Sequence, residues 1–135
     1  DSLRQALRSA TGIYFPDPQL ATAGIHFMKV LVELGIASEV AARLRPFPNG
    51  ATAMKAMAEC DDPQVIGCTQ VTEILITPGI DLVADLPAVF ELATVYTAAV
   101  CTASAHPQAA AQWIAQFCSP DHAALRRKGG FLPPT

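Results

Sequence analysis

The chain lacks the short signatures that usually announce catalysis. No Gly-x-Ser-x-Gly elbow, phosphate-binding loop or Gly-x-Gly-x-x-Gly turn occurs in its 135 residues. The four cysteines, Cys60, Cys68, Cys101 and Cys118, have no Cys-x-x-Cys spacing, which excludes a zinc ribbon and a thioredoxin-type redox site. Cys68 and Cys101 lie in apolar runs and read as small core residues with free thiols. His26, His106 and His122 are too far apart for metal-ligand spacing. With no nucleophile–base pair and no metal cluster in view, the expectation is a non-enzymatic protein without a cofactor.

Charge is sparse as well. Charged residues make up 16% of the chain and the net charge is −3. The longest basic run is Arg126-Arg127-Lys128, which excludes a nucleic-acid surface. The longest apolar run, residues 92–103, is too short to span a bilayer and contains Thr and Tyr. No signal peptide is recognisable, so residue 1 is expected to follow a processing or truncation point, unless the protein is cytoplasmic.

What is present is enough apolar material for one modest core, 51% of residues. Residues 1–9 read as a short helix capped by Asp1 or Ser2, with Leu3, Ala6 and Leu7 inward. Residues 12–15 read as a strand stopped by Pro16-Asp17-Pro18. A strong helix over 24–36 places Ile25, Met28 and Val32 at helical spacing, widened by Phe27, Leu31 and Leu34, and ends at Gly35. Residues 38–44 form a helix capped by Ser38, and 45–48 a short strand or extended link. Residues 49–60 form a helix capped near Asn49, with Met54, Met57 and Ala58 inward.

Residues 64–70 read as a strand, 71–75 as a helical turn, 80–86 as a strand and 92–103 as the longest strand. Two helices follow, 106–119 with Pro107 in its first turn, and 119–130 capped by Ser119 and closed by Gly129-Gly130. Alternating strands and helices predict an α/β fold with a largely parallel sheet. Composition shifts near residues 85–95, where the chain is expected to leave one packed unit for another.

Three fragments carry a resemblance: "YFPDPQLATAGIHF", "IGCTQVTEIL" and "SPDHAALRRKGGF", in this order and at fitting distances. Together they resemble the periplasmic solute-binding proteins of ABC transporters, most closely the molybdate-binding branch, over residues 12–131. The resemblance implies a periplasmic-binding-protein-like lobe with a mostly parallel sheet flanked by helices, plus two C-terminal helices that belong to the other lobe. Residues 1–92 would form the second, ligand-binding lobe, 93–99 an interlobe crossover, and 100–135 the final helices of a first lobe whose remainder is absent.

The implied function is periplasmic capture of molybdate or a related oxyanion, or of a small organic solute, for delivery to an ABC permease by lobe closure. A cytoplasmic ligand-sensing domain of the same fold, in a transcriptional regulator, is the alternative. Trp113, Ile114 and Phe117 would face the first lobe and, without it, drive self-association.

The site residues follow residue by residue. Ala23 and Gly24 match the family's amide-donating helix start, Gly50 matches the second donor, with Ala51 as its alternative, and Gln70 stands where molybdate-binding proteins carry a tyrosine. A Gln amide can still donate to an oxyanion. Thr69, Thr72 and Glu73 read as rim and capping residues. Glu73 would repel an anion, so it is expected to point away within its short helix, or else the ligand is not an anion.

Overall fold

The structure is a computed structural model and describes residues 2–133. It divides between Leu92 and Ala93 into two units.

The first unit is built on a three-stranded parallel sheet. Helix α1 (Ser2–Ser9) leads into strand β1 (Gly12–Pro16), helices α2 (Thr22–Glu33) and α3 (Ala37–Val40), and strand β2 (Leu44–Phe47). Helix α4 (Gly50–Ala58), strand β3 (Val65–Gly67) and helix α5 (Val71–Leu75) follow. Asp1, one of the two expected caps of α1, lies outside the described residues.

The strand order is β2-β1-β3, with Ile13 opposite Leu44 and Ile66. The chain moves one way across the sheet from β1 to β2 and the other way from β2 to β3. Right-handed crossovers then place α2 and α4 on opposite faces. Central β1 is covered on both sides, and four of its five residues are buried. Pro46 falls in edge strand β2, where a missing amide hydrogen is tolerated.

The core lies between α1, β1, α2 and α3. Leu7, Ile13, Phe15, Phe27, Leu31, Ile36 and Val40 are buried together, with the Phe15 and Phe27 rings 5.3 Å apart. On the other face, Ala53 and Met54 of α4 are buried.

Several expectations are corrected. Helix α2 starts at Thr22, two residues before Gly24, and buries Gly24, Phe27, Val30 and Leu31, whereas Ile25 and Val32 are exposed. Thr22, His26, Lys29 and Glu33 share one narrow polar stripe, and the apolar arc left to the helix is wide enough for two faces one residue apart to fit the helical period. Gly35 does end it, at φ +70. Helix α3 begins at Ala37, so Ser38 is not its cap; Ile36, fully buried, draws the chain inward and helix formation starts directly after it. In α4, Met57 and Ala58 are half-buried rather than core.

Neither 80–86 nor 92–103 is a strand. Both have the composition of one, but a strand persists only where its amides and carbonyls meet a neighbouring strand. Among the described residues no such neighbour pairs with them. A 3₁₀ turn at Ala88–Phe90 is tied to α2 by a 2.7 Å hydrogen bond between His26 Nε2 and the Phe90 carbonyl.

The second unit contains helices α6 (Pro107–Cys118) and α7 (Ala123–Lys128), joined by a 3₁₀ turn at Pro120–His122. Ser119 Oγ accepts the Asp121 amide at 3.1 Å, as its capping role requires. Arg126 folds back, and its guanidinium donates to the Phe117 carbonyl and, at 2.9 Å, to that of Ser119. A cation thus meets the negative end of α6. Trp113 and Phe117 stack with ring centroids 5.5 Å apart and both remain exposed.

Candidate functional site

Parallel strands deliver their following loops to one edge of the sheet, and the next helices begin there with free amide groups. In this lobe β1 leads to α2, β2 to α4 and β3 to α5, so three helix starts share that edge. All five residues singled out from the sequence belong to these starts. Ala23 and Gly24 are in the first turn of α2, Gly50 and Ala51 open α4, and Gln70 is the N-cap of α5.

The loop into α2 is ordered by Asp17. Its carboxylate accepts the amides of Gln19 at 2.7 Å and Leu20 at 2.8 Å, and its carbonyl accepts the amide of Ala21. Ala21 then holds the cap position, in extended conformation, with no side-chain acceptor. The Ile25 amide is the first to bond back to Ala21. The opening amides of α2 therefore have neither an intrahelical acceptor nor a side-chain cap.

Gly24 is needed here for a reason that sequence did not disclose. A Cβ at this position would fall well within 3.0 Å of the carbonyl oxygens of Pro16 and Asp17. The residue is buried, and the close approach it permits is that of the chain to itself. Its packing sets the position of the α2 start relative to β1, while half-buried Ala23 lies beside it.

Helix α4 is capped. Asn49 Oδ1 accepts the Thr52 amide at 2.8 Å and the Thr52 hydroxyl at 2.9 Å. Gly50 is buried and Ala51 exposed. A Cβ on Gly50 would collide with the Thr69 hydroxyl and the Glu73 carboxylate. Thr69 Oγ1 donates to Glu73 Oε2 at 2.5 Å. Glu73 therefore turns toward the start of α4 and brings its carboxylate against Gly50, contrary to the expectation that it points away. Sequence reasoning treated Glu73 as a capping residue because its partner, Gly50, is 23 positions away (73 minus 50) and no local pattern links the two. Half-buried Gln70 is adjacent to Thr69 in the same loop.

Cys68, one residue earlier, is packed against the core, and burial pushes its thiol up to about 12. It is therefore a protonated structural group rather than a nucleophile. Among the described residues no group of three or more His, Cys, Asp or Glu side chains could hold a metal ion, and no helix is long and apolar enough to cross a membrane.

A relative named aconitate isomerase, from Pseudomonas sp., is 27% identical over 137 residues, covering 98% of this chain and 49% of the relative. The chain thus spans about half the length of the curated relative it matches. No solved structure matches it. The family model described as bacterial extracellular solute-binding protein matches residues 1–132, nearly the whole sequence. The α/β lobe with its three-stranded parallel sheet flanked by helices is consistent with such a protein, and this chain belongs to the bacterial extracellular solute-binding proteins.

Proposed function

We propose that this chain is the ligand-gripping lobe of a periplasmic binding protein that serves an ABC importer, and that it works by binding rather than catalysis. Its solute is a small anion, either a tetrahedral oxyanion such as molybdate or a small carboxylate. The observation that carries the reading is the meeting of three helix starts at one sheet edge, with the first amides of α2 uncapped. Backbone amides at helix starts hold an anion without burying a cationic side chain. The carboxylate class enters through the name of the Pseudomonas relative, whose substrate is a tricarboxylate.

In this reading, residues 1–92 form one wall of the cleft, 93–99 cross between lobes and 100–135 complete the other lobe. A single wall leaves the solute partly in water, where each hydrogen bond gains only about 1 kcal/mol over solvent. Tight capture then depends on closure of a second wall. Calorimetry on the full-length protein with molybdate, tungstate, sulfate and trans-aconitate tests the reading. At least one should bind, and Gln70→Ala should weaken it about tenfold while the melting temperature stays put. Absence of binding by all four, or indifference to Gln70→Ala, would count against the site.

A further inference from the structure

The carboxylate of Glu73 lies at the start of α4, one of the three helix starts of the proposed site, and its presence bears on what the site accepts. It rests against buried Gly50, the first residue of α4, and is held there by the Thr69 hydroxyl. Gln70 is the N-cap of α5 and Glu73 lies in the first turn of that helix, so the group that would donate to a solute and the group that would repel an anion come from the same turn. A helix start that already faces a negative side chain has part of its field satisfied. A tetrahedral dianion arriving there meets like charge, with no donor of its own to offer. A solute with a hydroxyl, an ammonium or a carboxylic acid that keeps its proton meets a ready acceptor.

We infer that Glu73 is a specificity-determining residue: it excludes multiply charged oxyanions and selects a small carboxylate that presents a hydrogen-bond donor to it. The uncapped amides of α2 would take the carboxylate end of this solute, and Glu73 the donor end. Thr69 fixes the carboxylate's direction, so that one oxygen is occupied and the acceptor geometry is set before the solute arrives. The inference rests on the solute-binding reading above and narrows it from anions in general to donor-bearing carboxylates.

The test uses the full-length protein and probes that differ by one hydroxyl: malate against succinate, and citrate against tricarballylate, with molybdate as the oxyanion. Calorimetry on the unaltered protein should show the hydroxylated member of at least one pair favoured tenfold or more. Glu73→Gln, nearly the same shape but uncharged, keeps only a neutral acceptor, so it should reduce this preference and bind molybdate at least tenfold more tightly than the unaltered protein does. Equal affinities within each pair would overturn the inference, and so would a molybdate affinity unmoved by Glu73→Gln. If Gln70→Ala still weakens the bound probe in that case, the solute-binding site survives and only the role of Glu73 falls. If no probe binds either protein, the site itself is wrong and the inference goes with it. The comparison within each pair needs no variant, so a poorly folding Glu73→Gln still leaves a decision.

Discussion

Gly24 of helix α2 is packed directly against the carbonyl oxygen of Pro16, the last residue of the central strand. The contact is made by backbone on both sides, so neither partner can swing aside. Overfilling a close-packed site typically costs 1–3 kcal/mol, and a rigid backbone wall favours the upper part of that range. Gly24→Ala should therefore destabilise the lobe by about 2 kcal/mol or more in urea unfolding, despite alanine's better helix propensity. A variant as stable as the parent would mean that the α2 start is held less tightly than this packing requires.

The Arg8–Glu39 pair should leave a mark on acid stability. The Arg8 guanidinium donates to both Glu39 oxygens, at 2.7 and 2.6 Å, and joins α1 to α3. This hydrogen bonding holds the Glu39 carboxyl below its ordinary value of 4.5 and raises Arg8. Asp62 is lowered too, chiefly by the Thr11 hydroxyl and then by the Gln64 amide. Because the folded values are depressed, the unfolded chain takes up protons first. The stabilisation is complete above the ordinary carboxylate range and disappears as pH falls through the folded values. Both pairings are solvent-exposed, so the effect is modest and weakens with salt. Melting temperatures from pH 7 down to pH 3 should fall less steeply for Glu39→Gln than for the parent; parallel curves would refute the assignment.

Much of this lobe was legible from sequence because its signals are local. The β1 stop at Pro16-Asp17-Pro18, the Asn49 cap and the Gly35 terminus each depend on neighbours within a few residues. The parallel sheet follows from the alternation of element types. What was not legible depends on partners. Residues 80–86 and 92–103 carry strand composition, but composition does not supply the adjacent strand. The inward face of α2 was displaced by one position because Ile25, Met28 and Val32 repeat as regularly as Gly24, Phe27 and Leu31. Glu73 was misplaced because only the tertiary fold brings it to Gly50.

The cysteines should react in a definite order. Cys101, expected in the core from its apolar run, is exposed, as is Cys118, whereas burial pushes Cys68 up to about 12, so its thiolate is scarce at neutral pH. The thiolate is the reacting form. Brief alkylation of the native protein at pH 8, read by mass spectrometry, should label Cys101 and Cys118 at least tenfold faster than Cys68. Unfolding in urea should bring Cys68 into line with them. Fast labelling of native Cys68 would show that the β3 end of the core opens readily to solvent.

Trp113 reports on the second unit because it is the only tryptophan in the chain. It is 65% exposed and stacks face to face with Phe117, itself 45% exposed, while Leu125 of α7 is 65% exposed. Trp113, Gln116, Phe117, Leu125 and Phe131 border a shared groove in this unit. Two stacked aromatics and a leucine left in water form an apolar patch of the kind that drives association. In dilute solution the 135-residue chain should therefore emit as a water-exposed indole and be quenched readily by acrylamide. Raising the concentration should shift the emission to the blue and reduce quenching, in step with the rise in mass seen by light scattering. Trp113→Ser should lower that mass at the same concentration. A monomer whose emission stays red at every concentration would show that this patch does not associate on its own.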